Sequence, residues 1–269
     1  MPTRHYTHRC QTGGETAIDA LAAVSQLPKQ RLKDAMNKGA AWLRRGNTNK
    51  RLRRATTSLQ SGDEVSLHYN PEILALAPVE PNLVADEKHY SVWHKPAGLL
   101  AQGTLEGDHC SLLRLAEQRL GRECFPVHRL DREAEGLMLI AHTGKAAAAL
   151  SALFAREGST SLRKLYRVEV RGHAANSGEI DTPLDGKPAL TRYRLLEYLP
   201  ASDSSVVEVE LITGRKHQIR RHFAQVNHAV LGDPQYGTDN KDARGLQLRA
   251  TGLAFECPLT RKPRDYRTS

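Results

Sequence analysis

Two short stretches of this chain concentrate the residue types that do polar chemistry. The first, His128-Arg129-Leu130-Asp131-Arg132-Glu133-Ala134-Glu135, sets a carboxylate among guanidinium groups and runs straight into the apolar Gly136-Leu137-Met138-Leu139-Ile140-Ala141. An ionised carboxylate oriented by an arginine can attack an electrophilic carbon or stabilise a developing cation. Taken without context, a carboxylate such as Asp131 is more often a salt-bridged surface group. The second stretch, Thr213-Gly214-Arg215-Lys216-His217-Gln218-Ile219-Arg220-Arg221-His222-Phe223-Ala224, is dense in cations. As a helix it would turn Ile219, Phe223 and Val226 to the core, line a neighbouring face with Arg215, Gln218 and His222, and present its cations outward. A solvated basic helix and a phosphate-binding edge of an active site fit that pattern equally. His217, His222 and His228 raise the question of a metal. Their spacing matches neither HExxH nor a CxxC-type site, and no carboxylate is interleaved, so no metal is expected.

These residues need a frame. Asp131 sits where a loop feeds a buried strand. Tyr90 to His94 reads as a short strand ending at Lys95-Pro96, and Ser111 can cap a helix whose Leu112, Leu113, Leu115 and Ala116 face inward. A further helix follows Thr143, with Ala146, Leu150, Leu153 and Phe154 on one face. Tyr166, Val168 and Val170 alternate with charged residues, as do Val207, Val209 and Leu211, which marks two half-buried strands. Strands outnumber helices and do not alternate with them one for one. The expected class is α+β, with a central mixed, mainly antiparallel sheet and flanking helices.

The N-terminal part is different in kind. Ten basic residues between Lys29 and Arg54 (Lys29, Arg31, Lys33, Lys38, Arg44, Arg45, Lys50, Arg51, Arg53 and Arg54) face one acid, Asp34, in the same stretch. Leu32, Ala35, Met36, Trp42 and Leu43 are interleaved, so the segment folds rather than trailing as a basic tail. A helix with Leu21, Ala22, Val24 and Leu27 precedes it, and a Ser61-Gly62-Asp63 turn leads to a strand with Val65, Leu67 and Tyr69 on one face. This order of elements resembles the small S4-type RNA-binding module. Pro71, Pro78 and Pro81 read as a linker. The expected division is residues 1–80 as an S4-like module with linker and 81–269 as a catalytic domain.

Composition fits a polyanionic partner and a merely soluble, positively charged protein about equally. The 269 residues carry 39 Lys and Arg against 30 acids, a formal charge of +9; each phosphate neutralised releases counterions and strengthens binding. Cys10, Cys110, Cys124 and Cys257 show no paired spacing, so no disulfide framework is expected. Neither an apolar leader nor a membrane-length apolar run is present, which points to the cytoplasm and away from a membrane.

The segment HRLDREAEGLMLIA resembles the central motif of the RluA-type pseudouridine synthases, usually HRLDRxTSGLLLxA, and GRKHQIRRHFA resembles their later GRxHQIRxHxA. HKPAGL at residues 94–99, KLYRVEVRG at 164–172 and LGDPQYG at 231–237 follow in the family's order. The resemblance implies that Asp131 is the catalytic aspartate, that Tyr166 stacks near the target base, and that Arg129 helps hold the nucleotide out of its helix. It also implies that Arg220 pairs with the aspartate, with Ile219 beside it; Arg215, in the same motif, is the other candidate partner. His128 and Gln218, inside the same motifs, are expected at the substrate. Two departures stand out: Ala134-Glu135 replaces the common Thr-Ser, and Arg249 replaces a frequent His.

The chemistry so implied breaks the bond from uracil N1 to ribose C1′, turns the base, and joins C5 to C1′. A carboxylate at C1′ could act by covalent attack or by starting loss of the C2′ proton, and the residues do not choose. The base must first leave its stack at a cost of a few kcal/mol, part of which stacking on Tyr166 can offset. No hydride, phosphoryl group or electron moves, so no cofactor is expected. The implied substrate is structured RNA, ribosomal or transfer, with no obligate protein partner and a monomeric enzyme. A non-catalytic RNA clamp and an RNA hydrolase are the competing readings; the first leaves Asp131, Tyr166 and Arg220 unexplained, and the second lacks paired carboxylates or a metal cluster.

Overall fold

Thr16 accepts a hydrogen bond from the Asp19 N–H and so caps helix α1 (Ala17–Ser25), which follows strand β1 (Arg4–Arg9). The computed structural model describes residues 2–155, 162–238 and 240–268. Helix α2 (Lys29–Asn37) and strands β2 (Ala41–Arg45), β3 (Thr48–Arg51) and β4 (Glu64–Tyr69) complete a four-stranded sheet in the order β1-β4-β2-β3. Val65 and Leu67 of β4 pack with Leu21, Leu32, Met36 and Leu43 in one core, which is why the basic segment folds: its apolar residues recur at the sheet and helix periods. Strand β1 lies outside the sequence expectation, because Arg4-His5-Tyr6-Thr7-His8-Arg9 has little apolar pattern and pairs at the edge with β4. The segment read as a linker holds helix α3 (Pro71–Leu74), capped by Asn70.

The chain divides into two compact units: Met1–Val79 with Gln102–Gln118, and Glu80–Ala101 with Arg119–Ser269. The sequence division at 80/81 therefore misses one feature. Residues 102–118, assigned above to the catalytic domain, cluster with the first unit and bring it the start of helix α4 (Leu112–Leu120). Ion pairs explain part of this: Asp108 lies 3.0 Å from Arg51 Nε and accepts a hydrogen bond from Arg53.

The second unit is built on strands β5 (Asn82–Asp86), β6 (Tyr90–Lys95), β7 (Phe125–Pro126), β8 (Glu135–Ala141), β9 (Leu162–Arg171), β10 (Ser177–Ile180), β11 (Thr191–Leu199), β12 (Ser204–Leu211), β13 (Leu248–Glu256) and β14 (Pro263–Arg267), with helices α5 (Gly144–Ala155) and α6 (Gln218–Gln225). Among the described residues the sheet runs β10-β11-β12-β9-β13-β8-β6-β5, with β14 on β13 and β7 on β8. Every pairing is antiparallel except β13 with β8. It is an α+β fold with a mixed sheet. β8 is buried along almost its whole length, which is why its sequence is a continuous apolar run and not an alternation. At the parallel crossing Gly136 (φ 117°) stands opposite Ala250, where a Cβ would come within 2.2 Å of the Ala250 carbonyl oxygen, so only glycine fits.

Helix α6 departs from expectation. Ile219 and Phe223 do face the core, but Val226 is 39% exposed, and Arg220 is 2% exposed instead of pointing outward. Arg215 precedes the helix. The amphipathic pattern fails here because Arg220 has a buried carboxylate, Asp233, and a half-buried one, Asp131, to meet, a long-range fact that periodicity does not carry.

Candidate active site

The loop between β7 and β8 carries Asp131, and a buried lysine holds that loop. Lys95, fully enclosed at the end of β6, donates from Nζ to the carbonyls of Pro96 (3.1 Å), Leu99 (2.8 Å), Arg132 (3.2 Å) and Ala134 (2.6 Å). Gly98 N–H to the Arg132 carbonyl (2.8 Å) and Arg132 Nε to the Gly98 carbonyl (3.1 Å) tie the same two turns. Burial pushes the Lys95 ammonium down to about 8, against the opposing pull of Glu133, Asp131 and Glu135. The HKPAGL motif thus fixes backbone beneath the Asp131 loop.

Arg220 reaches Asp131 from α6. Its Nη1 donates to Asp131 Oδ2 at 3.0 Å, while Nε and Nη2 form a fork on Asp233 at 2.7 and 2.8 Å. Burial disfavours the Arg220 cation, but the two carboxylates outweigh it and raise its pKa. For Asp233, burial works against the charge, and Arg220 with the N–H groups of Gln235 and Tyr236 prevails and lowers it. Of the two arginines that the sequence leaves open, Arg220 is the one at Asp131; Arg215 donates from Nε to the Pro188 carbonyl at 2.9 Å. Asp233 escapes the sequence reading, although LGDPQYG contains it.

Tyr166 on β9 lines a cleft of about 270 Å³ together with Arg129, Asp131, Arg215, Ile219 and Arg220. Burial first, and then the charge of Asp131, push its phenol well above the usual range, so it offers a neutral ring. Arg129 is exposed at the cleft wall. Gln218 also lines it, yet its amide is fully engaged: Oε1 accepts from Thr213 Oγ1 and Arg215 N, and Nε2 donates to the Leu190 carbonyl and Thr191 Oγ1. It shapes the 213–216 loop and has no donor or acceptor left for substrate. His128 is likewise turned to structure, since Nε2 accepts from the Leu139 N–H at 3.1 Å and the ring stacks on Phe154. Although its edge is partly exposed, burial, followed by nearby Lys164, pushes it down to about 3 and keeps it neutral. Substrate contact is the sequence expectation for both, and neither geometry favours it.

The two departures from the family motif meet each other. Arg249 Nε lies 2.5 Å from Glu135 Oε1, across the parallel β8–β13 junction where the two are in register. The added carboxylate is therefore answered by the added guanidinium. The three histidines separate: His217 Nδ1 meets Tyr236, His222 bonds Thr191 and the Thr182 carbonyl, and His228 bonds the Arg171 carbonyl. Among the described residues no group of three or more His, Cys, Asp or Glu is placed to hold a metal ion.

In the first unit the cations expected to meet RNA fall into two sets. Lys29, Arg44, Arg45, Arg51 and Arg53 are ion-paired, with Asp19, Glu64, Asp63 and, for the last two, Asp108. Arg31, Lys33, Lys50 and Arg54 are exposed.

An aspartate on a short loop, paired with a buried arginine beside a tyrosine-lined cleft on a mixed sheet, defines a class that comparison with known proteins makes specific. The model of the RNA pseudouridylate synthase family matches residues 89–225, and this chain belongs to that family. It is an RNA pseudouridine synthase, which converts uridine to pseudouridine. A ribosomal large subunit pseudouridine synthase D of Zymomonas mobilis is 29% identical over 99% of this chain and 93% of its own length. A tRNA pseudouridine synthase C of Vibrio parahaemolyticus is 28% identical over 69% of this chain and 88% of its own. The structure of human RNA pseudouridylate synthase domain containing 1 shares the fold, with a TM-score of 0.60 and 22% identity, over 72% of this chain and 86% of that one.

Proposed function

We propose that this enzyme modifies uridine in structured ribosomal RNA with Asp131 as the nucleophile, Tyr166 as the stacking platform for the extruded base, and Arg129 as the residue that holds the nucleotide out. The observation that carries the reading is the Arg220 fork. A guanidinium that spends Nε and Nη2 on Asp233 has one fixed direction left for Nη1, and Asp131 lies on it. A carboxylate so aimed is ready for C1′ without any reorganisation of the protein. Ribosomal RNA is favoured over transfer RNA because the relative named for the large subunit aligns with nearly the whole chain, whereas the tRNA synthase aligns with 69% of it. The first unit, S4-like in its order of two helices and strands, supplies affinity through Arg31, Lys33, Lys50 and Arg54. The enzyme acts as a monomer in the cytoplasm and needs neither cofactor nor metal; among the described residues no helix is long and apolar enough to cross a membrane.

The test is to incubate wild type and Asp131→Asn with large-subunit ribosomal RNA and with bulk tRNA, then map pseudouridine chemically. New sites in ribosomal RNA with wild type alone are expected. Sites confined to tRNA would overturn the substrate assignment, and sites produced by a deamidation-free Asp131→Asn would overturn the nucleophile.

A further inference from the structure

His217 lies in the cleft, yet none of the roles above uses it. It stands at φ 53°, ψ 29°, immediately before α6, a left-handed conformation that a side chain other than glycine adopts only when its surroundings hold it there. Here they do. Nδ1 lies 2.9 Å from the Tyr236 hydroxyl, and the two rings meet edge to face with centroids 5.6 Å apart. Nε2 then lies 3.6 Å from Asp131 Oδ1, while Arg220 holds Oδ2 at 3.0 Å. The two oxygens of the carboxylate are faced by two different side chains.

Charge decides which nitrogen carries the proton. A lone pair on Nε2 aimed at a carboxylate repels it, whereas an N–H attracts it. The Tyr236 hydroxyl can donate to Nδ1, which leaves the proton on Nε2. Burial, more than the opposing Asp131, lowers the pKa of His217, with Arg220 and Lys216 adding to the effect, so the ring is neutral. At 3.6 Å the pair is farther apart than a formed hydrogen bond, as catalytic groups often are before substrate arrives.

We propose that His217, with its tautomer set by Tyr236, is a positioning residue that presents Nε2–H to Asp131 Oδ1 and limits rotation of the carboxylate as it engages C1′. This rests on Asp131 as the nucleophile. Since the interaction acts after RNA is bound, removing it should appear in kcat and not in KM.

The experiment compares His217→Leu with His217→Gln in the full-length enzyme on saturating RNA. Both carry a side chain unbranched at Cβ on the same positive φ, but only Gln restores an N–H near the position of Nε2. The Leu variant is expected to lose roughly tenfold in kcat, the scale of one hydrogen bond to a charged group, with half-saturating RNA and melting temperature unchanged. Gln should recover most of the rate, and Tyr236→Phe, which keeps the ring but frees the tautomer, should fall between. The proposal is overturned if Leu turns over like wild type, if Gln falls as far as Leu, or if the effect appears in RNA affinity or melting instead of kcat. Asp131→Asn assayed alongside separates the two claims. Turnover by that variant removes the nucleophile and this proposal with it; no turnover, together with an unimpaired Leu variant, removes only His217.

Discussion

Arginine meets carboxylate in both units of this molecule, with opposite results. In the smaller unit Arg44 keeps much of its surface in water while pairing with the partly exposed Glu64. In the larger, Arg220 and Asp233 are almost completely enclosed and share a fork whose remaining arm reaches Asp131. An exposed pair contributes about 0–1 kcal/mol and withdraws positive charge from a surface that would otherwise meet phosphate. The enclosed pair adds little net stability, because desolvation offsets attraction, but it fixes one direction for the carboxylate of Asp131. The same two residue types thus leave little mark on stability in one place and fix geometry in the other.

The sharpest way to break this contrast is Asp131→Asn. If the fork exists to aim a carboxylate, turnover should fall by on the order of 10⁴ or more, as when a nucleophile is removed, with RNA binding by filter assay nearly unchanged. Next in size is Asp233→Ala, which leaves Arg220 enclosed with half its partners gone. Denaturant unfolding should show a loss of about 3–5 kcal/mol, against under about 1 kcal/mol for Glu64→Ala in the smaller unit; equal losses would erase the distinction.

Replacing Arg31, Lys33, Lys50 and Arg54 together by glutamine should flatten the dependence of log affinity on log salt by roughly 0.7–0.9 for each phosphate no longer neutralised. The rate at saturating RNA should stay near that of wild type, and a collapsed rate with an unchanged slope would place these residues in the catalytic machinery. Lys95 sharpens the picture of an enclosed cation. Its ammonium titrates at about 8 in the folded chain and at its ordinary 10.5 when unfolded, so between those values the unfolded chain holds more protons. Stability attributable to Lys95 therefore rises with pH across that window, by at most about 1.4 kcal/mol per unit. Melting curves of wild type and Lys95→Met should diverge in favour of wild type above pH 8, and a gap that narrows there contradicts the enclosure. Smallest is the Glu135–Arg249 pair, partly exposed: a double-mutant cycle to Gln and Met should return no more than about 1 kcal/mol of coupling.

How far these features are legible in the sequence depends on the range of the interactions behind them. Asp131, Tyr166 and Arg220 stand in contiguous motifs, β8 follows from its unbroken apolar run, and β9, β12, α1 and α5 follow from periodicity in their own residues. Lys95 is visible only as part of a motif; that it ties four carbonyls depends on the 96–99 turn and the 132–134 loop meeting in space. Asp233 and His217 gain their meaning from partners that no local pattern names. Gln218 and His128 mislead for the converse reason, since membership of a motif does not say whether a polar atom faces the cleft or the backbone. The outward placement of Arg220 fails because amphipathic periodicity assumes that a cation prefers water, and the buried Asp233 with the half-buried Asp131 reverses that preference.

The return of residues 102–118 to the first unit bears on how the chain comes off a ribosome. The polypeptide passes from one unit to the other at 79/80, back at 101/102, and over again at 118/119. Synthesis therefore delivers β5 and β6 before the first unit has received its last piece, and those two strands must wait for β8, which begins only at Glu135, to continue their sheet. A truncation that begins at Asn82 would keep residues 102–118 and discard the unit to which they belong, Arg51 and Arg53 opposite Asp108 included. The nascent chain has to carry an open edge on β6 while the first unit is still being finished, and the strand that covers this edge emerges only after the aspartate loop has been made.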